Sequence, residues 1–389
     1  MEIENTTNQI QQPTQENKEN NEIKETKPIK EIKETKEEQQ LSKKALKKQQ
    51  RQKAFDFSKY KTRHIAIHLT YVGINYNGIQ CTLFTESDET NYESIQNDQT
   101  IEYYIIKALY KTHLIRSYKE CKYTRCGRTD KSVSAFGQVI DLWVRSNYQD
   151  EVIPIDKREG ELDYCKMINS LLPEDIRCLG WCGVPDDFNS RFSCVSRTYH
   201  YYFDPSSYDI QRMQEAAQLF IGEHDFTNFC KKDPQVPHHI RRVNSFDIEQ
   251  VNGISRFVIY GTAFLWHQVR YMVGALFAIG QGERKEIISE MLDVENYERP
   301  TYFKYADGYP LVLYECKFDN VKFLSEEGNV RFLAEIVDYW KEWNIKQMMR
   351  KSLMEMALSQ PMYDNTTVAE KIQNMKKKKT EIKPRKIKK

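Results

Sequence analysis

The sequence predicts an α+β protein in which two α/β halves, with mostly antiparallel sheets, flank a central active-site cleft, between disordered charged termini. Three observations carry this prediction. Runs that alternate apolar and polar residues, the mark of strands, interleave with stretches whose apolar residues recur at helical spacing. The blocks that mix glycine with charged side chains lie beside those strands, where a rigid scaffold presents reactive groups. Both ends of the chain shift to Lys, Glu, Gln and Asn and are too poor in apolar residues to bury a core. The expected division is a disordered polar extension over 1–59, an N-terminal half carrying the Asp130 loop over 60–185, a C-terminal half completing the cleft over 186–345, and a C-terminal helix with a basic tail over 346–389.

The elements follow in order. His64 to Tyr71 alternates, with Ile65, Ile67, Leu69 and Tyr71 on one face, and predicts a strand. It runs into a loop punctuated by Gly73, Tyr76 and Gly78. Residues 84–99 are acidic and polar, a flexible insertion. Ile101, Tyr104, Ile105, Ala108 and Leu109 then form the stripe of an amphipathic helix. The organising stretch is Tyr123 to Ser146. Gly127-Arg128-Thr129-Asp130 has loop composition, and Ile140, Leu142 and Val144 alternate with Asp141, Trp143 and Arg145 as in a half-buried strand. Beyond a charged connector, Tyr164 to Leu172 reads as a short helix ended by Pro173. Tyr199, Tyr201 and Phe203 share one face of a strand, a pattern typical of sheet core. Val269, Met272, Val273, Leu276 and Phe277 form a helical stripe, with His267 and Arg270 three apart on another face. Pro310 to Tyr314 opens a last strand, in which Leu311 reads as core.

The 389 residues are 40% hydrophobic and 12% aromatic, enough for a sizeable core. No apolar run approaches the roughly 18 residues of a membrane span. The glutamate-rich N-terminus resembles neither a secretory signal nor a mitochondrial transit peptide. The nine cysteines do not form a disulfide framework, and neither close pair, Cys121/Cys126 or Cys178/Cys182, has zinc-type spacing. Reduced thiols in a protein of the cytoplasm, the nucleus or both are expected. No P-loop or dinucleotide fingerprint occurs. Residues 1–55 hold 12 Lys/Arg against 10 Asp/Glu and residues 376–389 hold 9 against 1, so the body between them is net negative although the whole chain is +2. A nucleic-acid binder with such a body must gather its basic residues on one face or draw on its tails.

Several of these blocks together carry a family resemblance. Cys126-Gly127-Arg128-Thr129-Asp130-Lys131, followed by Val133-Ser134-Ala135 and Gly137-Gln138-Val139, resembles the active-site block of the TruA-type tRNA pseudouridine synthases. It is most similar to their eukaryotic branch acting on tRNA positions 38/39 in the anticodon stem-loop. Tyr71, Gly73, Tyr76 and Gly78 resemble the motif that opens the family, with Ile79 where an aromatic is common. Phe188 to Phe203 resembles its second motif, Phe264 to Arg270 its FxxHxVR, and Pro310 to Tyr314 the block before its last strand. The resemblance implies that Asp130 is the catalytic aspartate, that Tyr199 stacks on the target uracil, that Arg270 pairs with Asp130, and that Leu311 lies in the pocket wall. Arg128, beside Asp130, is placed to fill the space left by an extruded base or to hold a neighbouring phosphate. The family has Gly where this chain has Ser132, so either the backbone there does not need positive φ or the loop is altered.

The implied reaction, uridine to pseudouridine, is redox-neutral and hydrolyses nothing, so neither a cofactor nor a metal is expected. Extruding a stacked uridine costs a few kcal/mol, and a forked hydrogen bond from Arg270 would orient the carboxylate. The resemblance also implies tRNA as partner, a homodimer, and no membrane. A non-catalytic tRNA-binding or folding-chaperone protein that retains the fold is the alternative. A nuclease would need an acidic metal cluster or a His pair near Asp130, and neither is present.

The basic tail generates a first prediction. If it adds sequence-independent attraction through counterion release, deleting Lys376–Lys389 weakens tRNA binding at low salt and flattens the plot of log affinity against log salt. The modified uridine stays the same. Equal slopes for full-length and truncated protein would remove the RNA role.

Overall fold

A computed structural model describes residues 55–84, 98–150, 152–251, 253–319, 321–324, 327–360 and 366–373. The expectations for the N-terminal extension, for most of the 84–99 insertion and for the basic tail fall outside these residues.

Among the described residues there are nine strands, the longer ones built from alternating apolar stretches: β1 Thr62–Tyr71, β2 Thr124–Arg125, β3 Ser134–Arg145, β4 Ile176–Gly183, β5 Cys194–Phe203, β6 Gly222–Asp225, β7 Ile240–Val251, β8 Ile254–Gly261 and β9 Leu311–Phe318. They join in one sheet of order β4-β1-β3-β9-β5-β8-β7-β6, with β2 also on β3. Every pairing is antiparallel except β3 with β9, which run parallel through Ser134↔Val312 and Ala135↔Leu313. One edge of β3 is therefore shared: β9 takes its start, and β2 takes Ile140 and Asp141. The close approach of β9 depends on Gly137. A Cβ there would lie 2.4 Å from the Tyr314 carbonyl oxygen.

The predicted helical stripes face this sheet. In α1 (Ile101–Lys111), Ile101, Ile105, Ala108 and Leu109 are buried as the spacing requires. Glu102 of α1 is buried too, where it accepts from the Cys81 amide and pairs with Arg125 of β2. The helix expected over Tyr164–Leu172 is shorter, α2 spanning Tyr164–Asn169. Its Asp163 cap accepts from Lys166 N, while the Asn169 amide bonds both backbone groups of Cys178 on β4 and ends the helix against the sheet. After α3 (Ile210–Ala217), α4 (Gln268–Gly280) buries Val269, Met272, Val273 and Leu276. Phe277 of α4 packs 5.7 Å from Tyr201 and 5.4 Å from Phe203. α5 (Glu286–Leu292) and the long α6 (Glu327–Leu358) follow, and residues 368–373 are again helical.

The structure corrects the half-buried reading of β3. Both faces of this strand are covered, so its polar positions are buried as well. Asp141 is 1% exposed. It accepts from His64 Nε2 at 2.9 Å, from Ser190 N at 2.6 Å and from the Thr124 hydroxyl. His64 lies on β1 and Thr124 on β2, while Ser190 leads into β5, so one carboxylate ties together three stretches of chain. Alternation alone does not distinguish a polar residue facing water from one facing such a set of donors.

Removing a carboxylate that satisfies three buried donors leaves each of them desolvated. Asp141→Ala is expected to lower the unfolding free energy by about 3 kcal/mol, read from urea denaturation, with Asp141→Asn losing less. A loss below about 0.5 kcal/mol for the alanine variant would show that water replaces the carboxylate.

Candidate active site

The loop between β2 and β3 carries Asp130, and its shape is set by neighbours as well as by its own backbone. Val133 N bonds back to the Asp130 carbonyl at 3.1 Å, and Ser132 N donates to the Tyr76 carbonyl at 3.0 Å. Tyr71 Oη and Thr129 Oγ1 share a hydrogen bond of 2.7 Å. The fully buried Gln138 side chain reaches across to Gly127, its Nε2 donating to the Gly127 carbonyl at 2.8 Å. Gly78 packs against the loop backbone at φ +101°, where a Cβ would stand 2.6 Å from the Thr129 carbonyl oxygen. The Tyr71–Gly78 block thus acts as the outer wall of the Asp130 loop. Its glycine is needed for conformation and for space.

Ser132 settles the alternative posed by its substitution for glycine. Its φ is +65°, so the position does use the left-handed region, and a serine occupies it at a cost of about 1 kcal/mol. Ser132 N and the Tyr76 carbonyl hold the turn in that conformation.

Asp130 is brought to the start of α4. Arg270 Nη1 donates to its Oδ2 at 3.0 Å, and His267 Nε2 lies 3.2 Å from the same oxygen. The forked Arg270–Asp130 bond expected from sequence is not formed, because Arg270 Nε is turned to the Ala306 carbonyl at 2.8 Å. The guanidinium also lies 4.5 Å from the Tyr305 ring centre. Both contacts to Asp130 land on Oδ2 and leave Oδ1 outside them. His267 reaches the carboxylate because its own φ is +63°, a left-handed residue directly before the helix. Burial holds its imidazole below the usual histidine range against the pull of Asp130, and Arg270 adds to the depression. Its Nδ1 is buried and has no hydrogen-bond partner among the described residues. Sequence reading placed His267 and Arg270 on one face but gave the histidine no role. The i, i+3 spacing was the available signal.

Tyr199 is buried on β5, opposite Leu313 of β9 and edge-on to Phe264 with ring centres 5.2 Å apart. Burial keeps its phenol far above the ordinary range, with Cys316, Cys126 and Asp130 adding to the effect. Leu311 is buried at the first residue of β9, opposite Tyr201. Arg128 points away from the carboxylate, with its side chain 52% exposed and Nη1 3.7 Å from Asp233. Partial burial lowers its pKa, and Arg125 and Arg191 reinforce the shift. Arg125 is paired with Glu102 and Arg128 with Asp233, so two of these three guanidinium groups already face carboxylates. A cavity of about 570 Å³ lined by His68, Phe136, Tyr314 and Phe323 contains none of these residues.

One loop carboxylate is held by an arginine of the first turn of a helix, with a histidine and a buried tyrosine from other blocks close by. Residues 216–319 match a family described as tRNA pseudouridine synthase. The chain is 38% identical over 328 residues to a tRNA pseudouridine(38/39) synthase of Homo sapiens, covering 78% of this chain and 66% of that protein. It is 40% identical over 280 residues to a protein of the same name from Saccharomyces cerevisiae, covering 70% of this chain and 61% of that one. A tRNA pseudouridine synthase A of Methanosarcina acetivorans is 30% identical over 298 residues, with 97% of its length covered. The chain belongs to the tRNA pseudouridine synthase family. It spans just under two thirds of the human relative it matches.

Gly78 gives the prediction for this site. Gly78→Ala forces a strained φ and pushes the Thr129 carbonyl, and Asp130 with it, away from Arg270. The variant is expected to stay folded by circular dichroism and to lose turnover by about 100-fold, in line with the cost of about 1 Å of misplacement. Wild-type turnover in a folded variant would show that the loop does not set the position of the carboxylate.

Proposed function

We propose that this protein isomerises uridine to pseudouridine in tRNA, at positions 38/39 of the anticodon stem-loop, with Asp130 as the catalytic residue. The observation that carries the reading is the convergence of Arg270 and His267 on one oxygen of Asp130, in a chain of the pseudouridine synthase family. The choice of positions 38/39 rests on the names of the human and yeast relatives.

In this reading the target uridine leaves the helical stack, at a cost of a few kcal/mol. Arg128 stands at the mouth of the site and exchanges Asp233 for a phosphate, or fills the gap that the base leaves. Tyr199 and Leu311 form the wall against which the uracil rests. Oδ2 of Asp130 is held by Arg270 with His267 beside it, so the carboxylate meets the nucleotide through Oδ1. The N-glycosidic bond breaks, the uracil turns within the pocket, and C5 bonds to the sugar carbon. C5 then gives up its proton and N1, freed from the sugar, takes one up, so the product is an isomer of the substrate. A homodimer in which one tRNA touches both subunits, working in the cytoplasm or nucleus, belongs to the same proposal.

The test is Asp130→Asn, which keeps shape and removes charge. Pseudouridine formation in a tRNA transcript is expected to fall by about 10³-fold or more, with tRNA affinity within a few-fold of wild type. Conversion at a near-wild-type rate would overturn the assignment.

A further inference from the structure

Three cysteines far apart in sequence meet beneath the active site. Cys126 precedes the Asp130 loop, Cys194 opens β5 and Cys316 lies near the end of β9, and their sulfur atoms all fall within 4.8 Å of one another. All three are buried. Beside them on β5, paired across the strands with Cys316, is Arg197, 8% exposed. Its guanidinium donates to three backbone carbonyls: Thr262 at 2.7 Å, Cys126 at 3.0 Å and Arg191 at 3.0 Å. Burial works against its charge, and the three cysteines are the neighbouring groups that favour it most. A guanidinium this deeply buried calls for an anion, and thiolates are the anions at hand.

We propose that Cys126, Cys194 and Cys316 form a binding site for a thiophilic divalent cation, Zn²⁺. The donor set is all sulfur, which selects zinc or copper(I) over magnesium or calcium. Charge separates the first two. Three thiolates beside one guanidinium leave two negative charges, which Zn²⁺ cancels, whereas copper(I) would leave one buried and uncompensated. Zinc–sulfur bonds of about 2.3 Å require sulfurs about 3.8 Å apart, so the thiols close in by no more than about 1 Å. The fourth position is left to water, as in zinc sites with three protein ligands. In the metal-free state Cys194 Sγ donates to the Ser196 carbonyl at 3.2 Å. Binding Zn²⁺ displaces the thiol protons to solvent, and no electron changes hands.

The placement assigns the metal a positioning role. Cys126 is four residues from Asp130, Cys194 shares a strand with Tyr199, and Cys316 shares one with Leu311. A single ion would therefore clip together the three segments that supply the site, independently of the chemistry proposed there.

Elemental analysis of the full chain, grown with zinc and purified with reductant but no chelator, is expected to give about one zinc per chain. Cys194→Ser and Cys316→Ser should lose it, while the half-buried Cys182, outside the cluster, can be changed to Ser without effect. Replacing Zn²⁺ with Co²⁺ should give a strong near-ultraviolet thiolate-to-cobalt band. That spectrum, taken on wild type, decides the matter even where a serine variant fails to fold. Folded, reduced wild type that holds no zinc and shows no such band overturns the proposal. Metal retained in folded Cys194→Ser, or a disulfide within the cluster in protein that takes up no Co²⁺, overturns it as well.

Discussion

Two residue pairs hold this architecture together. The parallel contact of Ser134 and Ala135 with Val312 and Leu313 is short, yet it is where strands from the two parts of the chain become one sheet. On one side of it lies the loop with Asp130. On the other lie β9 with Leu311 and then β5 with Tyr199. Gly137 permits the approach, since any side chain there would strike the β9 backbone. The positions of the candidate groups are set by this seam as much as by the groups themselves.

Around the seam the protein uses backbone conformations that most residues avoid. Ser132 and His267 both lie in the left-handed region, one in the Asp130 loop and one at the start of α4. They sit on either side of the Arg270–Asp130 contact. Strain of this kind persists where surrounding bonds over-determine the structure. Here the Tyr76 carbonyl fixes the first, and the start of α4, where Tyr271 N bonds the His267 carbonyl, fixes the second.

The periodic elements were legible in the sequence because their signal is local. The stripe of α4 and the alternation of β1 and β5 follow from residues a few positions apart, and the pairing of Asp130 with Arg270 follows from the blocks that carry them. Interactions between distant polar groups were not legible. Asp141 looked like a solvent-facing residue because alternation does not reveal that a second layer covers the strand. His267 required a backbone turn that no periodicity encodes. Arg270 formed one bond to Asp130 instead of two because the Ala306 carbonyl, which no pattern near Arg270 announces, takes its Nε. The meeting of Cys126, Cys194 and Cys316 escaped a search for neighbouring cysteines for the same reason.

The shared edge of β3 also bears on how the chain is made. Ser134 and Val312 are separated by about 180 residues, and at 5–20 residues per second β9 emerges roughly 10–35 s after β3. For that interval the start of β3 exposes unpaired backbone groups, the kind of edge on which chains aggregate. β2 is synthesised before β3 and covers Ile140 and Asp141 at once, which confines the open edge to the few residues that β9 later claims. A two-residue strand that adds little to the finished sheet shortens the part of the nascent one that other chains can reach.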